Sequence, residues 1–303
     1  MRAERITSYN ALAAGIIAIS FGAIFTRLAH APAPAIAALR MIFSVLLLAP
    51  VALGSARTRG ELGGVSRRDA LLLVLSGLFL ALHFTLWILS LAYTTVASSV
   101  VFVTTNPLWV AIFSIGFLRE KISPTFWVGL VLSIAGGAII GGGDAAAGQG
   151  RWQGDALALG GAIAIAGYFI VGSRLRKRLS LVGYVFPVYG CAAGVLFAGA
   201  VALRVPLAGY RWETYLYCFL MALVCQILGH SLFNWVLKSL PATLVAIAVL
   251  GEPVGATILA LVLLGEVPGI NVIIGGVCIL AGVFVALRFG PESSAAERIA
   301  SGG

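Results

Sequence analysis

Apolar stretches of about 20 residues follow one another along nearly the whole chain, at about 8–29, 34–54, 70–92, 96–117, 124–141, 154–174, 182–203, 213–236, 241–264 and 270–288. About 20 apolar residues cross the hydrocarbon layer of a bilayer as an α-helix. A bilayer core offers the backbone no hydrogen-bond partner, so a spanning segment must be a helix or a strand of a closed barrel. Barrel strands alternate polar and apolar residues over about 10 positions, whereas these runs are apolar all round. Only 10% of the residues are charged, against roughly 25% in soluble domains. The sequence therefore predicts an all-α polytopic membrane protein of ten transmembrane helices. The first run is longer than the core of a signal peptide and lacks a small-x-small cleavage site, so it is read as a retained span. Cys191, Cys218, Cys225 and Cys278 all fall inside spans without metal-ligand spacing and read as small packing residues.

The stretch beginning at Pro107 returns 146 positions later. Pro107, Ile112, Leu118, Glu120, Gly129, Val131, Ala135 and Gly136 align without a gap on Pro253, Ile258, Leu264, Glu266, Gly275, Val277, Ala281 and Gly282. Shared apolar composition explains the Ile, Leu and Val matches. It does not explain the Pro and Glu pairs in a chain with 11 Pro and 8 Glu. Ala11-Leu12-Ala13 and Gly22 match Ala156-Leu157-Ala158 and Gly167 at an offset of 145, and His83 matches His230 at 147. The chain thus divides into one five-helix repeat over 8–141 and a second over 154–288, joined by a Gly-rich stretch and followed by a tail at 289–303. Five is odd, so the second repeat must enter from the opposite face. Two inverted repeats of this kind are the architecture of alternating-access carriers.

Charge bias in the loops agrees. With the N-terminus inside, Arg2, Arg5, Arg57, Arg59, Arg67, Arg68, Arg119, Lys121, Arg174, Arg176, Lys177, Arg178, Lys238, Arg288 and Arg298 fall on the inner side. Arg27, Arg40, Arg151, Arg204 and Arg211 fall on or toward the other. Fifteen against five places both termini in the cytoplasm. The net charge of +9 then follows from topology, and no nucleic-acid partner is implied.

Polar residues inside the spans are the candidate site. Arg40 lies near the outer start of span 2, where an ionised side chain costs about 2.5–3.5 kcal/mol unless it faces protein or water. Its planar fork suits a carboxylate, and snorkelling to the interface is the structural alternative. Glu252 precedes Pro253 near the middle of span 9, where it can bind an ammonium or carry a proton, or serve as a hydrogen-bonded residue at a kink. Asn106-Pro107 is its counterpart in the first repeat, and Pro107 and Pro253 are expected to kink their helices. His83 and His230, expected in the outer and inner halves of spans 3 and 8, are candidates for a proton relay with Glu252, or buried neutral packing residues. Trp87, Trp109, Tyr168 and Asn234 are further candidates for lining a substrate pocket, the aromatics by stacking. Trp127, Trp152 and Trp212 read as interfacial anchors.

Phe21-Gly22-Ala23-Ile24-Phe25, followed by Pro34 through Ala38-Leu39-Arg40-Met41, resembles the opening helices of EamA-type drug/metabolite transporters. Asn106-Pro107-Leu108 with Leu118-Arg119-Glu120-Lys121, repeated as Glu252-Pro253-Val254 with Leu264-Gly265-Glu266, is similar to that family's duplicated helix-hairpin signature. The resemblance covers roughly residues 8–288 and implies a ten-helix inverted repeat that exports small organic metabolites from the inner (plasma) membrane. Amino-acid exporters, including exporters of aromatic amino acids, are among its members. It also implies a small-molecule substrate, a lipid-embedded monomer or weak homodimer, and no cofactor or metal. The second repeat has no arginine at the Arg40 position, near Tyr184. A proton-coupled exporter of lipophilic cations is the alternative within transport. An intramembrane enzyme is the alternative outside it, with Ser98 or Ser99 beside a histidine as its best case. The chain contains no Gly-x-Ser-x-Gly, no His-Glu-x-x-His and no Walker motif.

Overall fold

The computed structural model describes residues 2–94, 96–118, 123–146, 152–264 and 269–288. Glu120 and Glu266 of the repeat, with Arg119, Lys121, Arg151 and the tail 289–303, lie outside the described residues. Among the described residues there are fourteen α-helices and two π-helical segments, and no strand. Seven helices among the described residues are long and apolar enough to cross a membrane. These include α1 (Arg2–Leu28), α2 (Ala33–Gly54), α4 (Arg67–Ser90), α8 (Trp152–Leu175) and α9 (Leu181–Ala202). The sixth combines α10 (Trp212–Leu220), a π-helical segment (Met221–His230) and α11 (Ser231–Val236), and the seventh joins α12 (Ala242–Val249) to α13 (Glu252–Leu264). Shorter apolar helices occupy the other three expected spans. They are α5 (Val96–Val103) with α6 (Asn106–Phe113) and the π-helical Ser114–Leu118, then α7 (Pro124–Ala146), then α14 (Ile270–Arg288). A short helix, α3 (Ala56–Gly63), lies between α2 and α4.

The packing is two-fold. α8 lies against α4, and its counterpart α1 lies against the π-helical Met221–His230 and α11. α5 and α6 pack on α8 as α12 and α13 pack on α1, and α2 pairs with its own counterpart α9. The clearest pair is α7 with α14. A Cβ on Gly129 would sit 2.6 Å from the Gly282 carbonyl, and one on Gly136 would sit 2.5 Å from the Gly275 carbonyl. Residue number rises along one helix as it falls along the other, so these two equivalent helices run antiparallel. All four glycines belong to the sequence repeat, and the offset of 146 exchanges one contact for the other. Missing side chains let the two backbones approach closely where lipid supplies no hydrophobic drive.

Loops 55–66 and 174–180 share one end of the bundle, the end rich in Arg and Lys. Ser180 caps α9 by accepting from Gly183 N at 3.1 Å, and its own N–H donates to Glu61 Oε2 at 3.0 Å. Asp69, in the first turn of α4 behind its Ser66 cap, pairs with Arg178 at 3.4 Å. Arg174 bonds the Phe117 carbonyl, and the Ser8 and Ser239 hydroxyls are 3.3 Å apart. The Glu61–Ser180, Asp69–Arg178, Phe117–Arg174 and Ser8–Ser239 contacts tie the first repeat to the second. At the opposite end Thr94 Oγ1 donates to Asp155 Oδ1 at 3.0 Å. Large apolar side chains point outward all round, among them Leu71, Val131 and Phe284. An apolar surface on this scale is foreign to a soluble monomer and matches a bilayer.

Two outcomes follow from this packing. Gly129→Ala forces the α7 and α14 backbones apart and lowers stability by about 1–3 kcal/mol, whereas Gly190→Ala, with nothing within 4 Å, does not; thermal unfolding in detergent compares them. Burial raises the Glu61 pKa, but hydrogen bonds from Ser180 and Arg57 outweigh it and leave the carboxyl below its ordinary value. Such a group adds stability above its unfolded pKa and loses it as pH falls through the folded one. The melting-temperature gap between wild type and Glu61→Gln is therefore constant near neutrality and closes as pH drops below the usual carboxylate range.

Candidate functional site

Where α5 meets α6 and α12 meets α13, the chain breaks at equivalent places. α5 ends at Val103 and α12 at Val249, while α6 starts at Asn106 and α13 at Glu252, in each case 146 positions apart. The expected kinks at Pro107 and Pro253 are thus helix interruptions, with each proline in the first turn of a new helix. Proline lacks the N–H that would bond back to residue 103 or 249 and carry the helix through. In the first repeat the Asn106 amide donates to the Val103 carbonyl at 3.3 Å, leaving its own Oδ1 without a partner. Glu252 takes the equivalent place in the second repeat, and it lines a cavity. Irregular backbone at membrane depth survives only where protein or a cavity covers it.

That narrow cavity is lined by Arg40, His83, Trp87, Asn106, His230 and Glu252 among the residues singled out from the sequence. Ile19, Gly22, Phe84, Phe169, Cys225 and Phe233 add an apolar wall. Arg40 is only 1% exposed, so it does not snorkel. Its guanidinium carbon lies 4.1 Å from the centroid of the Phe84 ring, and NH2 donates to Gln226 Oε1 at 2.9 Å. Among the described residues the ion pairs are Arg57–Glu61, Arg178–Asp69 and Arg211–Glu213. Arg40 and Glu252, a base and an acid, therefore line one cavity without an ion pair between them. The Glu252 main-chain carbonyl accepts from Ser20 Oγ at 3.4 Å, which fixes the start of α13 against α1.

His83 and His230, expected in the outer and inner halves of their spans, come together with ring centroids 6.5 Å apart. His83 Nδ1 is 3.0 Å from the Gly161 carbonyl, which holds the proton on that nitrogen, and its ring stacks at 3° on Trp87. Tyr168 and Asn234 stand behind the wall rather than in it. Asn234 Nδ2 donates to Tyr168 OH at 2.5 Å and to the His230 carbonyl at 2.7 Å. Trp109 is half-buried outside the lining, with its indole N–H unpartnered. Sequence reasoning passed over Gln226. Its signal was there, as the one amide side chain inside span 8 before Asn234.

The sequence profile of the EamA-like transporter family matches the chain twice, over residues 6–142 and 152–288. The chain belongs to the EamA-like transporter family. Its members are membrane transporters of small molecules, and the helices and outward apolar surface are those of a multi-pass membrane protein. No curated protein matches the sequence. Among solved structures, one titled only as a crystal structure of a protein superimposes with a TM-score of 0.75 at 18% identity, over 93% of this chain and 97% of the other. That likeness is one of fold. In this EamA-like chain, Pro253→Ala supplies the missing N–H and closes the interruption. We expect about 1 kcal/mol of added stability together with a marked fall in transport rate, while Pro50→Ala in α2, outside the cavity lining, leaves transport unchanged. Parallel unfolding and proteoliposome flux assays check this.

Proposed function

We propose that this EamA-like protein exports amino acids, aromatic or hydrophobic ones above all, by alternating access between two inverted repeats, 8–141 and 154–288. The observation that carries the reading is that Arg40 and Glu252, a base and an acid, line one cavity without an ion pair between them. Two opposite charges held apart by protein match a zwitterion better than either an anion or a cation. The substrate carboxylate takes the guanidinium fork of Arg40. The ammonium takes the Glu252 carboxylate, with the partnerless Asn106 Oδ1 as a second acceptor. Phe84, Phe169, Phe233 and Trp87 receive the side chain.

The transporter sits in the inner (plasma) membrane with ten spans, and the end rich in Arg and Lys faces the cytoplasm along with both termini. Its working unit is a monomer or weak homodimer. The contacts that tie the repeats at that end break as the halves rock, opening the cavity to the cytoplasm. Glu252, unpaired in the cavity wall, also supports a second reading, proton-coupled export of lipophilic cations, with His83 and His230 as further proton carriers.

Uptake of a labelled amino-acid panel into proteoliposomes separates the two. The zwitterion reading expects Arg40→Gln and Glu252→Gln each to cut transport by at least about tenfold, the loss of one charge-assisted contact. Unchanged transport in both variants would remove it. Competition by lipophilic cations, with pH dependence abolished only in Glu252→Gln, would put the second reading in its place.

A further inference from the structure

Arg40 and Gln226 are two departures from the two-fold pattern, and they meet. The position equivalent to Gln226 at the His83–His230 offset of 147 is Phe79, which packs against Gly167, its ring 2.8 Å from where a Cβ would stand. The counterpart of Arg40 is also without a cation. An amide in the place of a phenylalanine is costly inside a membrane protein unless it is bonded, and the Gln226 side-chain oxygen is bonded to Arg40 NH2. The π-helical Met221–His230 presents it, whereas the equivalent residues 74–83 of α4 are regular α-helix. π-Helical turns recur at functional sites.

This bond is incomplete on both sides. Arg40 Nε and Gln226 Nε2 are buried without partners, so one neutral carbonyl oxygen engages one edge of a fork shaped to take two oxygens. A carboxylate is a stronger acceptor for a guanidinium than an amide, because it adds a full opposite charge and can take both edges of the fork. We propose that Gln226 is a neutral placeholder on the carboxylate seat of Arg40, and so a residue that sets specificity for carboxylate-bearing substrates. The proposal rests on the zwitterion reading above. Without substrate, Gln226 holds the guanidinium in the cavity wall. When substrate arrives, its carboxylate displaces the amide and takes both edges of the fork. A neutral placeholder can be displaced. A charged one competes.

Two substitutions separate this role from a purely structural one. Gln226→Glu keeps an acceptor on Arg40 and adds a tethered charge, while Gln226→Leu removes the acceptor altogether. A structural role makes the leucine variant the worse of the two. The placeholder role makes the glutamate variant worse. Binding is read as the ligand-induced shift in thermal unfolding of the purified protein, with phenylalanine as one probe and phenethylamine, which lacks the carboxylate, as the other. We expect Gln226→Glu to weaken phenylalanine binding by about tenfold or more and to leave phenethylamine unaffected. Gln226→Leu, and Gln226→Ala beside it, should retain the preference for phenylalanine. A glutamate variant that binds phenylalanine as wild type does, or leucine and alanine variants that lose it while the glutamate variant keeps it, overturns the placeholder. If wild type itself binds phenethylamine as tightly as phenylalanine, the zwitterion reading falls, and the role given to Gln226 falls with it.

Discussion

A bilayer core has no hydrogen bonds to offer, and that one deficiency dictates where everything unusual in this protein can be. Broken helices, midplane charges and unpaired amides are all excluded from lipid, and each would cost several kcal/mol there. They must therefore collect in the interior. The interruptions at 104–105 and 250–251, the Arg40 guanidinium and the Glu252 carboxylate border a single cavity. Regular helices carry their large apolar side chains outward around it.

Symmetry supplies the frame for that cavity and small departures from it supply the chemistry. Glycines 129, 136, 275 and 282 fix the antiparallel α7–α14 pair through two contacts that the repeat exchanges. The helix breaks recur at an offset of 146. Within this frame Asn106 faces Glu252, Phe79 stands where the other repeat has Gln226, and Arg40 has no cationic counterpart. Each difference replaces a neutral or apolar group by one that can recognise charge. In the alternating-access cycle proposed above, the two-fold frame is what lets the halves exchange roles, and the asymmetric lining is what orients the substrate.

Much of this was legible in the sequence because it depends on counting. Span length, loop charge and the ordered Pro–Gly repeat all follow from local composition and spacing, and they carried the all-helical class. The family came from the resemblance of the stretches around Gly22, Arg40, Asn106-Pro107 and Glu252-Pro253 to EamA-type transporters. Six of the candidate residues reach the cavity because a polar side chain in an apolar span has nowhere else to go. What composition could not show is how a span is interrupted. Pro107 and Pro253 looked like kinks in continuous helices, but the two residues before each new helix form turns, which opens the backbone as well as bending it. Register was equally hidden. Tyr168 and Asn234 bond to each other behind the wall, Trp109 turns away, and the two histidines meet although linear position put them in opposite halves. Gln226 escaped notice because an amide carries no charge to draw attention in sequence, and its partner is 186 residues away.

The claim that Arg40 and Glu252 hold the two ends of a zwitterion is tested most directly by solid-state NMR on the protein in bilayers. Dipolar recoupling would measure the distance from the 13C-labelled carboxyl of a bound amino acid to the 15N-labelled guanidinium, assigned by its loss in Arg40→Gln. The account predicts direct contact, with N–O separations of about 2.8 Å, and a substrate nitrogen equally close to Glu252. A bound amino acid whose carboxyl shows no coupling to that guanidinium would contradict it.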